Sequence, residues 1–413
     1  MTNSVTSRYA VRGLARHLRR TTLSALGVGI GCAIGLITVA WIRGESEMII
    51  RAAAECGAGH LRIVPGAWLQ HHDRNLRLVE YEKTLAVARA LPEVAVATPR
   101  VRVQGLLGLG TRVASAEIVG VDPNTEQAAL RFVRHIAQGR YLKAGDRAST
   151  VVGKGVLTRL DAQLGDELLV TAMDAHGQMR SALWTVVGVV ETGSDNIDRA
   201  LVQVPLADAL ELSGMPGAAE ITILLHDHHT MARVRAELEP QLPAAERVLP
   251  WYEVAPELRA GYEMDRGFAR VTVGIVVILV LLGVTSAQLT SVLERRREFA
   301  VLAALGMRGG QMVRVMLVEA LTLGGIGTLL GLLLSLPPVY YLSHHGLNVA
   351  EFMGNGDMAM SGVLIDPIFY ADMGAWLLPY ALLLSLSATL FAALYPALYA
   401  TRTDPADALR VAQ

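Results

Sequence analysis

LERRREFAVLAALGMRGGQMVRVMLVE, residues Leu293–Glu319, lies between two long apolar runs and carries Arg295, Arg296, Arg297, Arg308 and Arg314. Clustered arginine beside membrane spans marks the cytoplasmic side of a bilayer. Phe299, Leu302, Ala303 and the Leu305-Gly306 pair recur at helical spacing, so the strip reads as a short amphipathic helix between spans. A helix held at the membrane face is built to touch something in the cytoplasm. The rest of the chain can be read as what that contact operates.

The flanking runs are Val271–Val292 and Met312–Tyr341, and two more occur at Thr21–Ile42 and Ala375–Tyr395. About 20 apolar residues cross a hydrocarbon core, so each run is a span. Arg8, Arg12, Arg16, Arg19 and Arg20 precede the first span, and Arg402 and Arg410 follow the fourth. The connection Leu342–Asp372 holds Glu351, Asp357, Asp366 and Asp372 but no Lys or Arg. The positive-inside rule then puts both termini in the cytoplasm and the long polar segment outside.

The expected fold is therefore membrane α-helical, with four transmembrane helices and a large α+β extracytoplasmic domain inserted between helices 1 and 2. Its parts are a basic cytoplasmic segment 1–20, a first span 21–42, an outer domain 43–268 and a second span 269–292. A cytoplasmic loop 293–311, a third span 312–341, an outer loop 342–373, a fourth span 374–397 and a cytoplasmic tail 398–413 complete it. The basic segment Ser7–Arg20 reads either as an interfacial helix or as a flank that fixes orientation. Arg43-Gly44-Glu45 follows the first span without a small-x-small cleavage site, so that span is expected to be a retained anchor.

Composition agrees with that division. The 413 residues are 52% hydrophobic, with a mean hydropathy of +0.38, and the apolar content comes in blocks, as in a membrane protein with a soluble portion. A net charge of −1 gives no footprint for nucleic acid. Cys32 lies inside a span and Cys56 beyond it, so no structural disulfide is expected. Gly27, Gly31 and Gly35 repeat every fourth residue in the first span, as do Gly327, Gly331 and Ser335 in the third. Such small-residue faces let helices approach closely. Pro337-Pro338 is expected to break the third helix near its outer end.

The outer domain opens with a helical stretch, Glu45–Glu55. Strand signals follow at His60–Val64, Val94–Thr98, Val101–Leu107 and Ala116–Val121. Glu167–Ala172, the turn Asp174-Ala175-His176-Gly177 and Arg180–Val190 predict a hairpin with Trp184, Val186 and Val190 on one face. Helices are expected at Tyr81–Leu91, Thr125–Ala137, Leu206–Ser213 and Thr230–Leu238. The pattern predicts a β-rich lobe near Tyr141–Val204 and a split α/β lobe around it.

Motifs for chemistry are few. No GxxxxGK[ST] phosphate loop occurs, and Val152-Gly153-Lys154-Gly155 reads as a turn. His226-Asp227-His228-His229, His71-His72-Asp73 and His344-His345 invite a metal reading, but adjacent histidines in a strand point to opposite faces. No carboxylate or cysteine is clearly spaced to complete such a site, so solvated loops and no metal are expected. Neither GxSxG nor HExxH is present. The expectation is a chain without catalysis or a cofactor of its own.

Glu294–Ser335, ERRREFAVLAALGMRGGQMVRVMLVEALTLGGIGTLLGLLLS, closely resembles a segment shared by the MacB/FtsX/LolC–LolE family of ABC-transporter permeases. Tyr395–Arg410, YPALYATRTDPADALR, resembles that family's YPA…R…P…EALR ending, with Asp407 where Glu is usual. Gly59-His60-Leu61-Arg62-Ile63 followed by Pro65-Gly66 looks most like the LolC/LolE branch, as does Val186–Gly193 with Ser194–Asp198. The resemblance implies a dimeric permease, from two copies or from a homologous pair, working with a cytoplasmic pair of ABC ATPases that carry ATP and Mg. It implies an inner-membrane location and a periplasmic domain that transmits mechanical motion.

On this reading Arg296–Gly306 is a coupling helix seated in a groove of the ATPase. Phe299, Leu302 and Leu305 anchor it, and Glu294, Arg297, Glu298 and Arg308 make rim contacts. For a lipoprotein or related lipidic substrate, Trp41, Ile42, Phe268 and Val271 are candidate lining residues near the outer membrane face, and a periplasmic carrier or adaptor receives the cargo. Two alternatives stay open: a MacB-like efflux of periplasmic peptides or small molecules, and an FtsX-like activation of a periplasmic enzyme. FtsX has a smaller outer domain, and MacB carries a fused ATPase domain absent from this sequence.

Overall fold

The computed structural model describes residues 18–71, 75–174, 176–193, 195–294, 298, 301, 305–349, 358–360 and 363–401. They divide into a helical unit (1–45, 264–347 and 369–413) and a β-sheet unit (46–263 and 348–368). Part of the expected outer loop thus belongs to the sheet unit. Residues 7–17 of the basic segment and the 402–413 ending lie outside the described residues.

The long helices are α1 (Leu18–Ala53), α7 (Pro256–Glu294), α8 (Gly309–His345) and α9 (Leu377–Thr401). Among the described residues three helical stretches are long and apolar enough to cross a membrane: Ala25–Ala58, Gly309–His345 and Leu377–Leu394. The expected second span, Val271–Val292, is helical within α7 and is not among those three. Helix α8 runs through Pro337 and Pro338 to His345 instead of ending there. Proline removes single hydrogen bonds from the ladder, and the helix carries on past both gaps.

Small residues set how the helical unit packs. A Cβ on Gly327 would lie 2.4 Å from Val28 Cγ1, and one on Gly331 would lie 2.7 Å from Cys32 Cβ. Ser335 is buried. The glycine of α1 in this crossing is Gly29, whose added Cβ would meet Leu330 Cβ at 2.8 Å and the Gly327 carbonyl at 3.4 Å. Gly27 faces open space, and Gly35 packs on Leu384 of α9. Of the expected Gly27–Gly31–Gly35 face, Gly35 is thus closely packed, whereas Gly27 takes no part in a contact within the described residues. The buried row of α1 runs Ala25, Val28, Cys32, Leu36 and Ala40. Gly324 sits under Thr389 of α9, where an added Cβ would be 2.5 Å from the hydroxyl.

Gly327→Leu and Gly331→Leu are expected to overpack this crossing and cost about 1–3 kcal/mol each. Gly325→Ala, at a position with nothing nearby, should be neutral. Thermal unfolding of the full chain in detergent checks this, and equal melting of all three variants would overturn the assigned face.

The sheet unit is built on one sheet of ten strands. They are β1 (Leu61–Pro65), β2 (Val94–Leu109), β3 (Arg112–Val121), β4 (Ile136–Gly139), β5 (Ser149–Gly153), β6 (Glu167–Met173), β7 (Met179–Val190), β8 (Val202–Pro205), β9 (Glu220–Leu225) and β10 (Glu246–Pro250). The order is β10-β1-β9-β2-β3-β8-β5-β7-β4, with β6 pairing both β2 and β7. β2 joins the two strands expected at Val94–Thr98 and Val101–Leu107 into one of 16 residues. Its length lets it pair with β9 near one end and with β6 near the other.

Three cores sit along this sheet, one of them around Val121, Leu130, Phe132, Tyr141, Val151 and Val190. Toward β1 and β9, Leu61, Ile63, Ile221, Ile223 and Val248 pack with Leu85 and Ala88 of α2 (Tyr81–Arg89) and with Val234 and Leu238 of a helix at Met231–Leu238. Toward β6 and β7, Leu107, Ile118, Leu168, Val170, Trp184 and Val186 pack with Ala209 and Leu212 of a helix at Leu206–Ser213. The two expected lobes therefore share one continuous sheet, and the third core joins residues of both. The helix expected over Thr125–Ala137 is shorter, α3 (Pro123–Ala129), followed by a 3₁₀ turn and then β4. Leu130 turns extended there and buries its side chain.

Candidate functional site

The strip between α7 and α8 is described in part. Arg296, Arg297, Phe299 and Leu302 lie outside the described residues. Glu298 and Val301 are helical, and the Leu305 N–H donates to the Val301 carbonyl at 3.0 Å, closing the last turn. Gly306 has φ +92°, a left-handed conformation in which glycine carries no steric cost. The Arg308 N–H donates to Gln311 Oε1 at 3.1 Å at the start of α8. Val292, Met312 and Met316 are buried together at the base of the strip. Leu305 is 79% exposed and Val301 is exposed too, so this end presents apolar surface.

The other end of α1 is clamped by the segment before α9. The Asp372 N–H donates to the Ala40 carbonyl at 2.9 Å, and Arg43 Nε pairs with Asp372 Oδ2 at 2.8 Å. The Arg43 guanidinium also lies 4.5 Å from the centre of the Trp376 ring, a cation–π contact. Gly44 is required by this approach, since a Cβ there would sit 1.9 Å from the Tyr370 carbonyl oxygen. Of the four candidate lining residues, Trp41 stacks on Phe369 with ring centres 5.9 Å apart, and Ile42 beside it is half-buried. Phe268 and Val271 on α7 are both exposed. The Arg43–Asp372 pair had a signal in the sequence, a lone arginine just past a span and a loop bearing only acids.

Nothing in the sequence pointed to the ion network inside the sheet unit. Arg62 Nη1 pairs with Glu220 Oε2 at 3.0 Å, and Arg102 bridges Glu220 at 3.1 Å and Glu117 at 2.8 Å. Arg100 pairs with Glu126 at 2.8 Å, and both are almost fully buried. Thr98 donates to Glu126 at 2.9 Å. Arg62 and Arg100 both donate to the Gly57 carbonyl, which a one-turn π-helix (Ala54–Ala58) after α1 turns toward them. Gly57 has φ +115°, a conformation suited to glycine. Burial pushes the Glu220 carboxyl up, but Arg102, then Arg62 and Arg100, outweigh it and hold the group at about 2. Burial lowers Arg62 to about 10, still charged at neutral pH.

Across the sheet from the Trp184 core lies a largely apolar face, with Glu167 at its edge. Leu106, Val113, Leu169, Met173, Met179 and Leu183 are all exposed there, with Ser115, Thr171 and Ser181 between them. Register places them together: Leu106 opposite Thr171, Leu169 opposite Leu183, and Met173 opposite Met179. A cavity of about 740 Å³ beside it is lined by Arg77, Leu106, Ser115, Met173, Met179 and Met215. The expected hairpin provides part of this surface, but exposure of its apolar outer side was not foreseen.

Of the histidine pairs, His344 and His345 end α8, their rings against Tyr340 and Tyr341. His72 and Asp73 lie outside the described residues. His228 and His229 lie in a 3₁₀ turn, His228–Thr230, and not in a strand, so they need not point apart. His60 is buried, and burial lowers it to about 4, leaving it neutral.

Comparison with known proteins accounts for both units. A model of the MacB-like periplasmic core domain matches residues 21–241, and one of the FtsX-like permease C-terminal region matches residues 270–405. The lipoprotein-releasing system transmembrane protein LolC of Xylella fastidiosa is 26% identical over 394 residues, covering 94% of this chain and 92% of that one. LolE of Haemophilus influenzae is 21% identical over 399 residues, with 94% and 93% covered. The macrolide export ATP-binding/permease protein MacB of Bordetella avium is 26% identical over 342 residues, 80% of this chain but 51% of MacB. The chain belongs to the MacB/FtsX family and is an ABC-transporter permease of the LolC, LolE and MacB type.

Proposed function

We propose that this chain is the permease subunit of a transporter that extracts lipoproteins from the inner membrane, driven by ATP hydrolysis on separate ATPase subunits. The observation that carries this reading is the end-to-end correspondence with LolC, which spans 94% of this chain and 92% of the relative, against 51% of MacB. In this reading four helices span the membrane, the second within α7, and both termini are cytoplasmic. The strip 293–311 seats in the ATPase, which holds ATP and Mg. A second permease, identical or homologous, completes the pair. Nothing crosses the bilayer, since motion delivered to the periplasmic unit is what lifts the cargo.

Acyl chains leave near Trp41, Ile42, Phe268 and Val271. Each methylene withdrawn from an apolar phase into water costs about 0.8 kcal/mol, so several chains require ATP-scale work and a receiver that shields them. The largely apolar face around Leu106, Leu169, Met173, Met179 and Leu183 suits docking by a soluble carrier with an apolar cavity. The test is reconstitution of the chain with its ATPase and a lipid-modified lipoprotein in proteoliposomes. ATP-dependent transfer of the lipoprotein to a soluble carrier is expected. No transfer with several lipoproteins, or export of a macrolide or peptide instead, would replace lipoprotein release by the MacB-type activity.

A further inference from the structure

Within the sheet unit, three side chains from distant parts of the sequence converge. Glu47 lies on α1, and His228 and His229 lie in the turn after β9. His228 Nδ1 is 3.3 Å from Glu47 Oε2, and His229 Nε2 is 3.1 Å from Glu47 Oε1. One ligand atom from each of the three lies within 4.8 Å of the others. Metal bonds of about 2.0–2.2 Å to nitrogen and oxygen in a tetrahedral site set ligand-to-ligand edges of roughly 3.3–3.5 Å. Each nitrogen–oxygen separation is close to that edge, one to each oxygen of the Glu47 carboxylate.

The surroundings hold the two rings in place. Asp227 Oδ1 accepts the His229 N–H at 2.9 Å, and the Asp227 carbonyl accepts the Thr230 N–H at 3.1 Å, which fixes the turn that carries both imidazoles. His60 stacks on His228 with ring centres 6.3 Å apart, and His60 is itself oriented because its Nδ1 accepts the Leu225 N–H at 3.0 Å. That bond leaves the proton of neutral His60 on Nε2, so His60 supports the site without being a ligand. His228 is the less exposed of the pair and His229 the more exposed, so one side stays open to water.

We propose that Glu47, His228 and His229 bind a divalent transition ion of the zinc class, with water as the fourth ligand. Two imidazoles and one carboxylate suit such an ion better than they suit calcium or magnesium, which favour all-oxygen sites. A single histidine–carboxylate ion pair needs only one imidazole, whereas here two neighbouring rings divide the two oxygens of one carboxylate. A bound ion would tie the turn after β9 to α1, and binding to the folded state alone would stabilise this unit.

The test uses the full chain in detergent, purified without a polyhistidine tag and stripped with chelator. Titration with Zn²⁺ against a chromogenic indicator should show one saturable equivalent per chain and a rise in melting temperature. Co²⁺ should give the intense visible absorption of a four-coordinate site. Glu47→Gln, His228→Ala and His229→Ala should each weaken Zn²⁺ binding at least about tenfold, whereas His226→Ala and His345→Ala should not. Absence of a saturable equivalent, or unchanged affinity in all three ligand variants, overturns the proposal. Should those variants fail to fold, the Co²⁺ spectrum of the unmodified chain decides: only the weak absorption of six-coordinate Co²⁺ overturns it as well.

Discussion

Glu220→Met is expected to cost the sheet unit about 3–5 kcal/mol, the penalty of stranding a buried cation. Glu220 serves two arginines, but they do not depend on it equally. Arg102 keeps Glu117 at 2.8 Å, whereas Arg62, nine-tenths buried, keeps only the carbonyls of Gly57 and Ala58. Arg62 therefore carries most of the effect. Adding Arg62→Met removes the stranded charge, so the double variant should be more stable than Glu220→Met alone. Denaturant unfolding of the full chain in detergent measures both. A single variant as stable as the parent, or a double variant less stable than the single, would sink this account of the network.

The same pair predicts a pH dependence. Glu220 is held at about 2 in the folded chain, below the roughly 4.3 of an unperturbed glutamate. Its folded pKa is depressed, so its contribution is complete above about pH 4.3 and is lost as pH falls toward 2. The stability gap between the parent and Glu220→Met should narrow across that window and stay constant from pH 5 to about 8.

Phe299→Asp combined with Leu302→Asp is expected to abolish co-purification of the ATPase. Buried apolar anchors in the middle of an interface are worth about 2 kcal/mol or more each, roughly a 30-fold loss of affinity per residue. A buried aspartate adds an unpaired charge to that loss. Arg297→Ala, a rim charge in the same reading, should change binding by less than about 1 kcal/mol. These three positions lie outside the described residues, but Leu305 and Val301 beside them present exposed apolar surface. ATPase recovered at full yield with the double variant would show that the coupling contact lies elsewhere. Transport lost while the ATPase stays bound would separate coupling from assembly.

The helical unit was largely legible because a bilayer tolerates few solutions. A span must be a run of about 20 apolar residues, so the first, third and fourth of the expected runs stand out from neighbouring segments. In the sheet unit the β6–β7 hairpin was legible because one side is buried and alternation survives over Trp184 and Val186, but a register shift after Val186 puts Val189 in their core and Val190, expected beside them, in another. β9 is buried at all six positions, so Glu220–Leu225 has no alternation to read and was missed. In α1 it is Gly29 that meets Leu330 and Gly327 of α8, and spacing within one helix does not say which small residue a partner helix approaches.

The family and the three long apolar helices therefore follow from the sequence by itself, because their signals are local: motif, length and apolar composition. Which carboxylate meets which cation does not follow from any local signal. Arg62 and Glu220 are 158 residues apart, and Glu47 meets His228 and His229 only once the chain after β9 returns to α1. Contacts of that range depend on strand order. Strand order is decided by how ten strands and their helices bury apolar surface together, a property of the assembled unit rather than of any one stretch.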